Sequence, residues 1–308
     1  MTRAHIAQLP DQQRLHLQDG PIDLILEAFG SDAEVQRGYH AAAQRFVTVL
    51  DKLCSELALL RSQATANGIS PRGRVARRMA AAVAPYAELT FITPMAAVAG
   101  AVAEEILEAI TSAAHLAKAY VNNGGDIALH LSEGENFVIG MVKRPDHLSL
   151  FGSAALRSSD PIRGIATSGW RGRSFSLGIA DAVTVLADTA SRADAAATIV
   201  ANAVDLPGHA NIVRVPARSL SPDSDLGNRL VTQAVGELSH EEVERALSGG
   251  VRMAESLARE GAAVCVPSDE ATPDRIAREI DQGGLTSTGS AIGSLHYTSR
   301  NSNQYWQN

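Results

Sequence analysis

Between Lys118 and Ala187 the chain breaks into seven short, largely apolar stretches: Ala119–Val121, Asp126–Leu131, Phe137–Val142, Leu148–Phe151, Gly164–Thr167, Ser174–Leu177 and Ala182–Leu186. Segments this short bury themselves only by pairing with one another, and the brief turns between them favour antiparallel neighbours. The pattern predicts an antiparallel β-meander. With aromatics at 4% of a chain that is 45% hydrophobic and rich in Ala, the layer against that meander is predicted to be close-packed helices built from small residues. An α+β fold of antiparallel meander sheets and Ala-rich helices follows. Neither a repeat nor a linker is visible, so residues 1–282 are read as a single α+β domain and residues 283–308 as a polar tail.

The flanking segments extend this picture. Arg14–Gln18 alternates, Asp19-Gly20-Pro21 supplies a turn, and Ile22–Ala28 continues as a strand, which predicts a hairpin. Ser31 is placed to cap one long helix from 33 to about 63, whose apolar positions recur every three or four residues. Further helices are predicted over 75–83, from Met95 to about Ala114 behind Thr93-Pro94, and over 191–204 with Ser191 as cap. The Gly249-Gly250 pair predicts a break between helices 240–248 and 252–259, ahead of a strand over 262–266 and a helix over 273–281. A strand is also predicted over 212–215, and Asp223–Gly227 reads as a helix start or an ordered turn. The early part of the Met95 helix is rich in Ala and Gly, which suits close approach of a neighbouring backbone or of a ligand equally well.

A net charge of −7 argues against nucleic-acid or anionic-membrane binding, both of which need a basic face. The one dense basic run, Arg72 to Arg78, reads as a solvated helix start. Cys54 and Cys265 have no metal-ligand spacing and read as buried small hydrophobes. The stretch Phe91–Ala103 is too short to span a bilayer, and Met1–Gln8 carries no apolar signal core. A soluble protein in the reducing cytoplasm is expected, and the Ala-rich helical surface suggests a homodimer.

Three segments carry the candidate chemistry. In Asn122-Asn123-Gly124-Gly125-Asp126 consecutive glycines after a strand can aim backbone N–H groups at an anion, with Asp126 free to take a ribose hydroxyl or a metal. The plain alternative is a tight turn that needs positive φ. Thr167-Ser168-Gly169-Trp170-Arg171-Gly172-Arg173 gathers hydroxyls, glycines, two guanidinium forks and a stacking ring, which suits a phosphorylated ligand. A polar hairpin loop reads equally well. Asp194 and Thr198 stand one helical turn apart, an oxygen pair fit for Mg2+ or Ca2+. The competing reading is an acid balancing the helix dipole, with Thr bonded back to a carbonyl.

Taken in order, Val121-Asn-Asn-Gly-Gly-Asp-Ile127, Ala166-Thr-Ser-Gly169 and Ala193-Asp-Ala-Ala-Ala-Thr198 resemble the ApbE superfamily of FAD-dependent protein flavinyltransferases. The chain is most similar to a cytoplasmic ApbE-like branch through Arg14–Leu24, Thr93–Glu104 and Asp181–Val185. The resemblance spans about Arg14 to Gly261. It implies a metal pair in Asp194 and Thr198, a nucleotide-side turn at Asn123, Gly124, Gly125 and Asp126, and a second wall at Thr167, Ser168 and Gly169. Arg171 or Arg173 would neutralise phosphate. Two departures stand out: Phe175–Asp181 has no His where flavinyltransferases carry a His-Ile-Ile-Asp-Pro-like segment, and Val98-Ala99-Gly100 replaces their Ala-Lys-Gly.

The resulting expectation is an ApbE-like protein that binds FAD, FMN or another nucleotide-like phosphate ligand with Mg2+ or Ca2+. Metal-assisted cleavage or transfer at a phosphate bond is its expected chemistry, and the departures argue against flavinyl transfer to protein. The alternatives are a non-catalytic accessory protein assisting a partner enzyme, and acid–base chemistry by Asp126 with Asp181 in the same cleft.

Overall fold

In the computed structural model, which describes residues 3–65, 68–144, 147–258 and 263–265, the chain opens with three antiparallel strands. These are β1 (His5–Gln8), β2 (Leu15–Asp19) and β3 (Ile22–Phe29). β2 and β3 alternate buried and half-buried residues along their whole length, the period-2 mark of a sheet with one face on a core. Gly20, at φ 57°, supplies the left-handed residue of the turn between them.

Ser31 caps α1 (Asp32–Phe46) by accepting from the Glu34 N–H. The single helix predicted over 33–63 is in fact three: α1, α2 (Val49–Ser55) and α3 (Leu57–Leu60). Each break has an identifiable cause. Val47, Thr48 and Val49 are all β-branched, and the Thr48 hydroxyl bonds back to the Arg45 carbonyl. Glu56 turns aside to accept the N–H groups of Arg72 and Gly73 at 2.6 and 2.7 Å. The apolar periodicity survives both breaks, since Phe46, Val49, Leu53 and Leu60 remain buried. Cys54, predicted to be buried, is exposed on α2.

α4 (Arg74–Val83) and α5 (Val98–Ala113) come next. Pro94 opens a 3-10 turn, so α5 begins at Val98 rather than Met95. The basic run is not simply solvated. Arg74 and Arg78 reach Glu104, Glu105 and Glu108 on α5, while Arg72 and Arg77 stay exposed.

Six of the seven predicted stretches are strands: β4 (Lys118–Asn123), β5 (Asp126–Leu131), β6 (Asn136–Arg144), β7 (His147–Arg157), β8 (Gly164–Ser168) and β9 (Val183–Ala187). Ser174–Leu177 is not one, because it turns to give the Leu177 N–H to Asn202 Oδ1. The meander is also interrupted. β5 pairs with β8, and β6 and β7 form a separate two-stranded sheet.

α6 (Ala190–Ala203) is capped by Thr189 rather than Ser191. β10 (Ile212–Pro216) pairs with β11 (Leu230–Val235) across the short α7 (Ala217–Leu220) and the turns at 223–227. α8 (His240–Ala258) runs unbroken through the two glycines that predicted its end. A Cβ on Gly249 would stand 2.4 Å from the Ala203 carbonyl oxygen, and one on Gly250 2.4 Å from Val204 Cγ2. These glycines seat α8 against the end of α6; they do not stop it. β12 (Ala263–Cys265) pairs with β9. The predicted helix over 273–281, the tail over 283–308 and the Cys265 side chain lie outside what is described.

The main sheet has eight strands in the order β1-β2-β3-β4-β5-β8-β9-β12, antiparallel at every step. One face carries α1, α5 and α6 over the larger core. The other carries Tyr120, Ile127, Leu129, Ile165 and Leu186 beneath Phe137, Ile139 and Leu156 of the separate hairpin. The fold is α+β with an antiparallel sheet. No helix among the described residues is long and apolar enough to cross a membrane.

The glycines of α8 give a test in which two effects have opposite signs. Helix propensity alone would make Gly249→Ala stabilising by about 1 kcal/mol. Overpacking against backbone costs about 1–3 kcal/mol. The second effect should win, so Gly249→Ala is expected to unfold at lower urea than wild type, and a raised midpoint would show that α8 does not sit on Ala203.

Candidate functional site

The paired-glycine bend is the two-residue connection between β4 and β5, closed by the Asn123–Asp126 pair. Gly124 and Gly125 take φ 66° and 115°, which L side chains rarely adopt. The Gly125 N–H is not aimed outward, because it donates to Asn122 Oδ1 at 2.8 Å. Asn123 Nδ2 donates to the Ala99 carbonyl at 3.1 Å, which ties the bend to the start of α5. The tight-turn reading therefore describes the backbone, while Asp126 at its far end faces the helices.

Asp194 reaches the same place from α6. Its Oδ2 accepts the Gly100 N–H at 3.0 Å, and the Ala99 N–H also bonds to its carboxylate. These are among the first amides of α5, which have no partner inside their own helix. The approach depends on Gly100, since a Cβ there would stand 2.2 Å from the Ala190 carbonyl oxygen. α5 returns the favour: Glu104 Oε1 accepts the Ser191 N–H at the start of α6 at 2.6 Å, and Arg78 holds its other oxygen.

The two carboxylates are electrostatically coupled. Burial pushes Asp126 up to about 7, against the pull of the Thr167 N–H and of Arg173. Asp194 is raised well above the usual carboxylate range, first by burial and then by the charge of Asp126, with the α5 amides opposing. Both residues are half-buried. Two acids whose charged forms are disfavoured in one place mark a candidate functional spot.

The second segment divides by strand parity. Thr167 and Thr184 are register partners, and their hydroxyls meet at 2.8 Å. Thr167 therefore contributes only its N–H, to Asp126 Oδ1 at 3.2 Å. Ser168, one residue on, falls on the helix-side face with Asp126. Gly169 is filled by its own chain, because a Cβ would stand 2.3 Å from the Asp181 carbonyl oxygen. Trp170 Nε1 and Arg171 Nε both donate to Asp181 Oδ1, and Arg171 stacks 4.5 Å over the Trp170 ring. That cluster engages Asp181, the residue paired with Asp126 in the acid–base alternative.

Arg173 behaves differently. It donates through Nη2 to the Pro21 carbonyl at 3.1 Å, and a Cβ on Gly124 would stand 2.8 Å from its Nη1. It lies over both tight turns and exerts its charge on Asp126 and on Asp23. Asp23 is held low mainly by its 2.7 Å bond to His16. Thr198 is half-buried one turn beyond Asp194. Among the described residues no group of three or more His, Cys, Asp and Glu gathers as a metal cluster. The donors offered are oxygens alone, and the acid pair fits a hard cation. Sequence reasoning did not find the amides of α5 or the reach of Arg173 to Pro21. The Ala/Gly-rich start of α5 was the available signal for the first; the second had none.

Residues 6–272 match the family described as AbpE bacteria. A UPF0280 protein of Methanopyrus kandleri is 38% identical over 128 residues, covering 42% of this chain and 48% of its own. A UPF0280 protein of Methanocella arvoryzae is 40% identical over 131 residues, covering 42% and 50%. The chain spans about half the length of the curated relatives it matches. Among solved structures, the flavin transferase ApbE of Vibrio cholerae aligns at TM-score 0.39 and 12% identity, over 64% of this chain and 86% of that one.

The acid pair sets a pH dependence. A carboxyl whose pKa is higher folded than unfolded adds stability that is complete below its unfolded value, near 4, and vanishes as pH rises through its folded value. With Asp126 at about 7, wild type should lose stability between about pH 4 and pH 7. Asp126→Asn should flatten that decline in urea titrations across the range; parallel curves would refute the coupling.

Proposed function

Because the chain belongs to the AbpE bacteria family, we propose that it binds a flavin or another nucleotide-like phosphate ligand, together with a divalent cation, at the meeting of the β4–β5 bend with the starts of α5 and α6. The observation that carries this reading is the convergence of Asp126, Asp194, the first amides of α5 and the Arg173 guanidinium on one spot. Flavin is the ligand implied by the ordered motif resemblance.

Asp126 and Asp194 would hold the cation, with the Thr198 hydroxyl one turn along as a further oxygen. When bound, Mg2+ would supply Lewis-acid polarisation of a phosphate oxygen. The residues of the chain itself do the rest. Arg173 neutralises phosphate charge over Gly124, while Ser168 offers a hydroxyl on the helix-side face. The positive end of α5 adds to the field felt by an anion. Metal-assisted cleavage or transfer at a phosphate bond is the reaction class this arrangement suits. Arg171, engaged by Asp181, takes no part in it. A second reading, an accessory protein without catalysis, draws support from the Gly125 N–H and Asp194 Oδ2, which are already partnered from within.

Calorimetric titration with FAD and FMN, with and without Mg2+, separates the readings. Binding is expected to require Mg2+ and to weaken roughly tenfold or more in Asp194→Ala and in Arg173→Gln, with Arg171→Gln near wild type. Absence of flavin binding by the wild type, or an Asp194→Ala variant that binds as wild type does, would overturn the proposal.

A further inference from the structure

We propose a second ligand site, separate from the first, in the cavity between α2 and the start of α4, and that it takes a small polyanion. The cavity measures about 780 Å3 and is lined by Arg45, Lys52, Arg72 and Arg74, with Glu56 as the carboxylate on its wall. The four cations come from four places: the last turn of α1, α2, the segment before α4, and the first residue of α4. In a chain with a net charge of −7, such a concentration of positive charge around one hollow runs against the composition.

The existing acids do not cancel it. Arg45 and Arg74 are compensated by the buried Glu105, with Arg74 also reaching Glu108. Glu56 places both its oxygens on the Arg72 and Gly73 N–H groups, so its charge is matched to the start of α4. Among the described residues, Lys52 and Arg72 have no carboxylate within ion-pair distance, and both are exposed. A planar guanidinium fork and a flexible ammonium lining one cavity are a combination suited to phosphate. The volume falls within the range of small-molecule sites, about 300–1,000 Å3, and exceeds what one inorganic phosphate would fill. A nucleotide-sized anion with two or more charges fits. This site shares no lining residue with the β4–β5 bend. It meets α5 through Glu105, whereas the first site uses Ala99 and Gly100.

The test is calorimetry on the full chain with inorganic pyrophosphate, using wild type, the double variant Lys52→Ala/Arg72→Ala and, as a control on the first site, Arg173→Ala. Both truncated side chains are exposed, so the double variant should unfold at the wild-type urea midpoint. Its pyrophosphate binding at this site should weaken roughly tenfold or more, while Arg173→Ala keeps it. Citrate in place of pyrophosphate identifies the source of the charge: equal binding by citrate supports the site and assigns it to polycarboxylates, and pyrophosphate preference supports it as a phosphate site. The proposal is overturned if wild type binds neither anion, if the double variant binds as wild type does, or if Arg173→Ala alone abolishes binding.

Discussion

Two helices that start side by side and cap each other are the arrangement on which the rest of this molecule depends. Asp194, from α6, takes amides at the start of α5, and Glu104, from α5, takes the Ser191 amide at the start of α6. Two positive helix ends would repel if left bare. Each is instead met by a carboxylate from the other helix, and each leaves fewer orphan N–H groups in a half-dry place. The exchange needs the backbones nearly in contact, which Gly100 permits against Ala190, while Gly164 on β8 lets the start of α6 lie against the sheet. The candidate site is the by-product of that contact. Once Asp194 is drawn to α5, it stands beside Asp126, which the β4–β5 bend has placed on the same face.

The division of labour between the two faces of the sheet also explains the unusual composition. Under α1, α5 and α6 the core is filled largely with Ala, Val, Leu and Ile, and small side chains let helices lie close to strands and to one another. Aromatic packing gathers on the opposite face. Tyr120 and Phe29 each meet Phe137 edge-on at about 6 Å, and the Lys118 ammonium lies 5.2 Å from both Phe rings. That face needs bulk because only a two-stranded hairpin covers it. Among its buried residues the larger core holds three aromatics, Tyr39, Phe46 and Tyr86.

Much of the architecture was legible in the sequence. The β2–β3 hairpin, the Ser31 cap, the two-glycine bend and the Asp194 helix follow from period, turn chemistry and capping rules that act within a few residues. The misreadings at the α1–α2 break and at the α6 cap are local, but several others share a cause: a side chain or glycine whose partner lies far along the chain. Glu56 breaks a helix because it is held by Arg72 and Gly73. Gly249 and Gly250 resemble a stop signal until Ala203 and Val204 are seen beside them. Thr167 and Arg171 read as ligand groups, but strand parity sends one hydroxyl to Thr184 and a carboxylate thirteen positions from Ser168, Asp181, claims the other. Parity was available from sequence; Asp181 as a partner was not.

β3 finds its sheet neighbour in β4, where Leu24 meets Asn123 and Phe29 meets Lys118. All the helical chain between them has to be looped out before that ladder can form. Closing so long an excursion adds only modestly to the entropy bill, roughly 0.6 kcal/mol for each doubling of its length, but non-local pairing of this kind slows the search for the native topology. The bend that carries Asp126 hangs from the far end of β4, so the acidic pair is held in place by a ladder whose two strands lie about ninety residues apart in the chain.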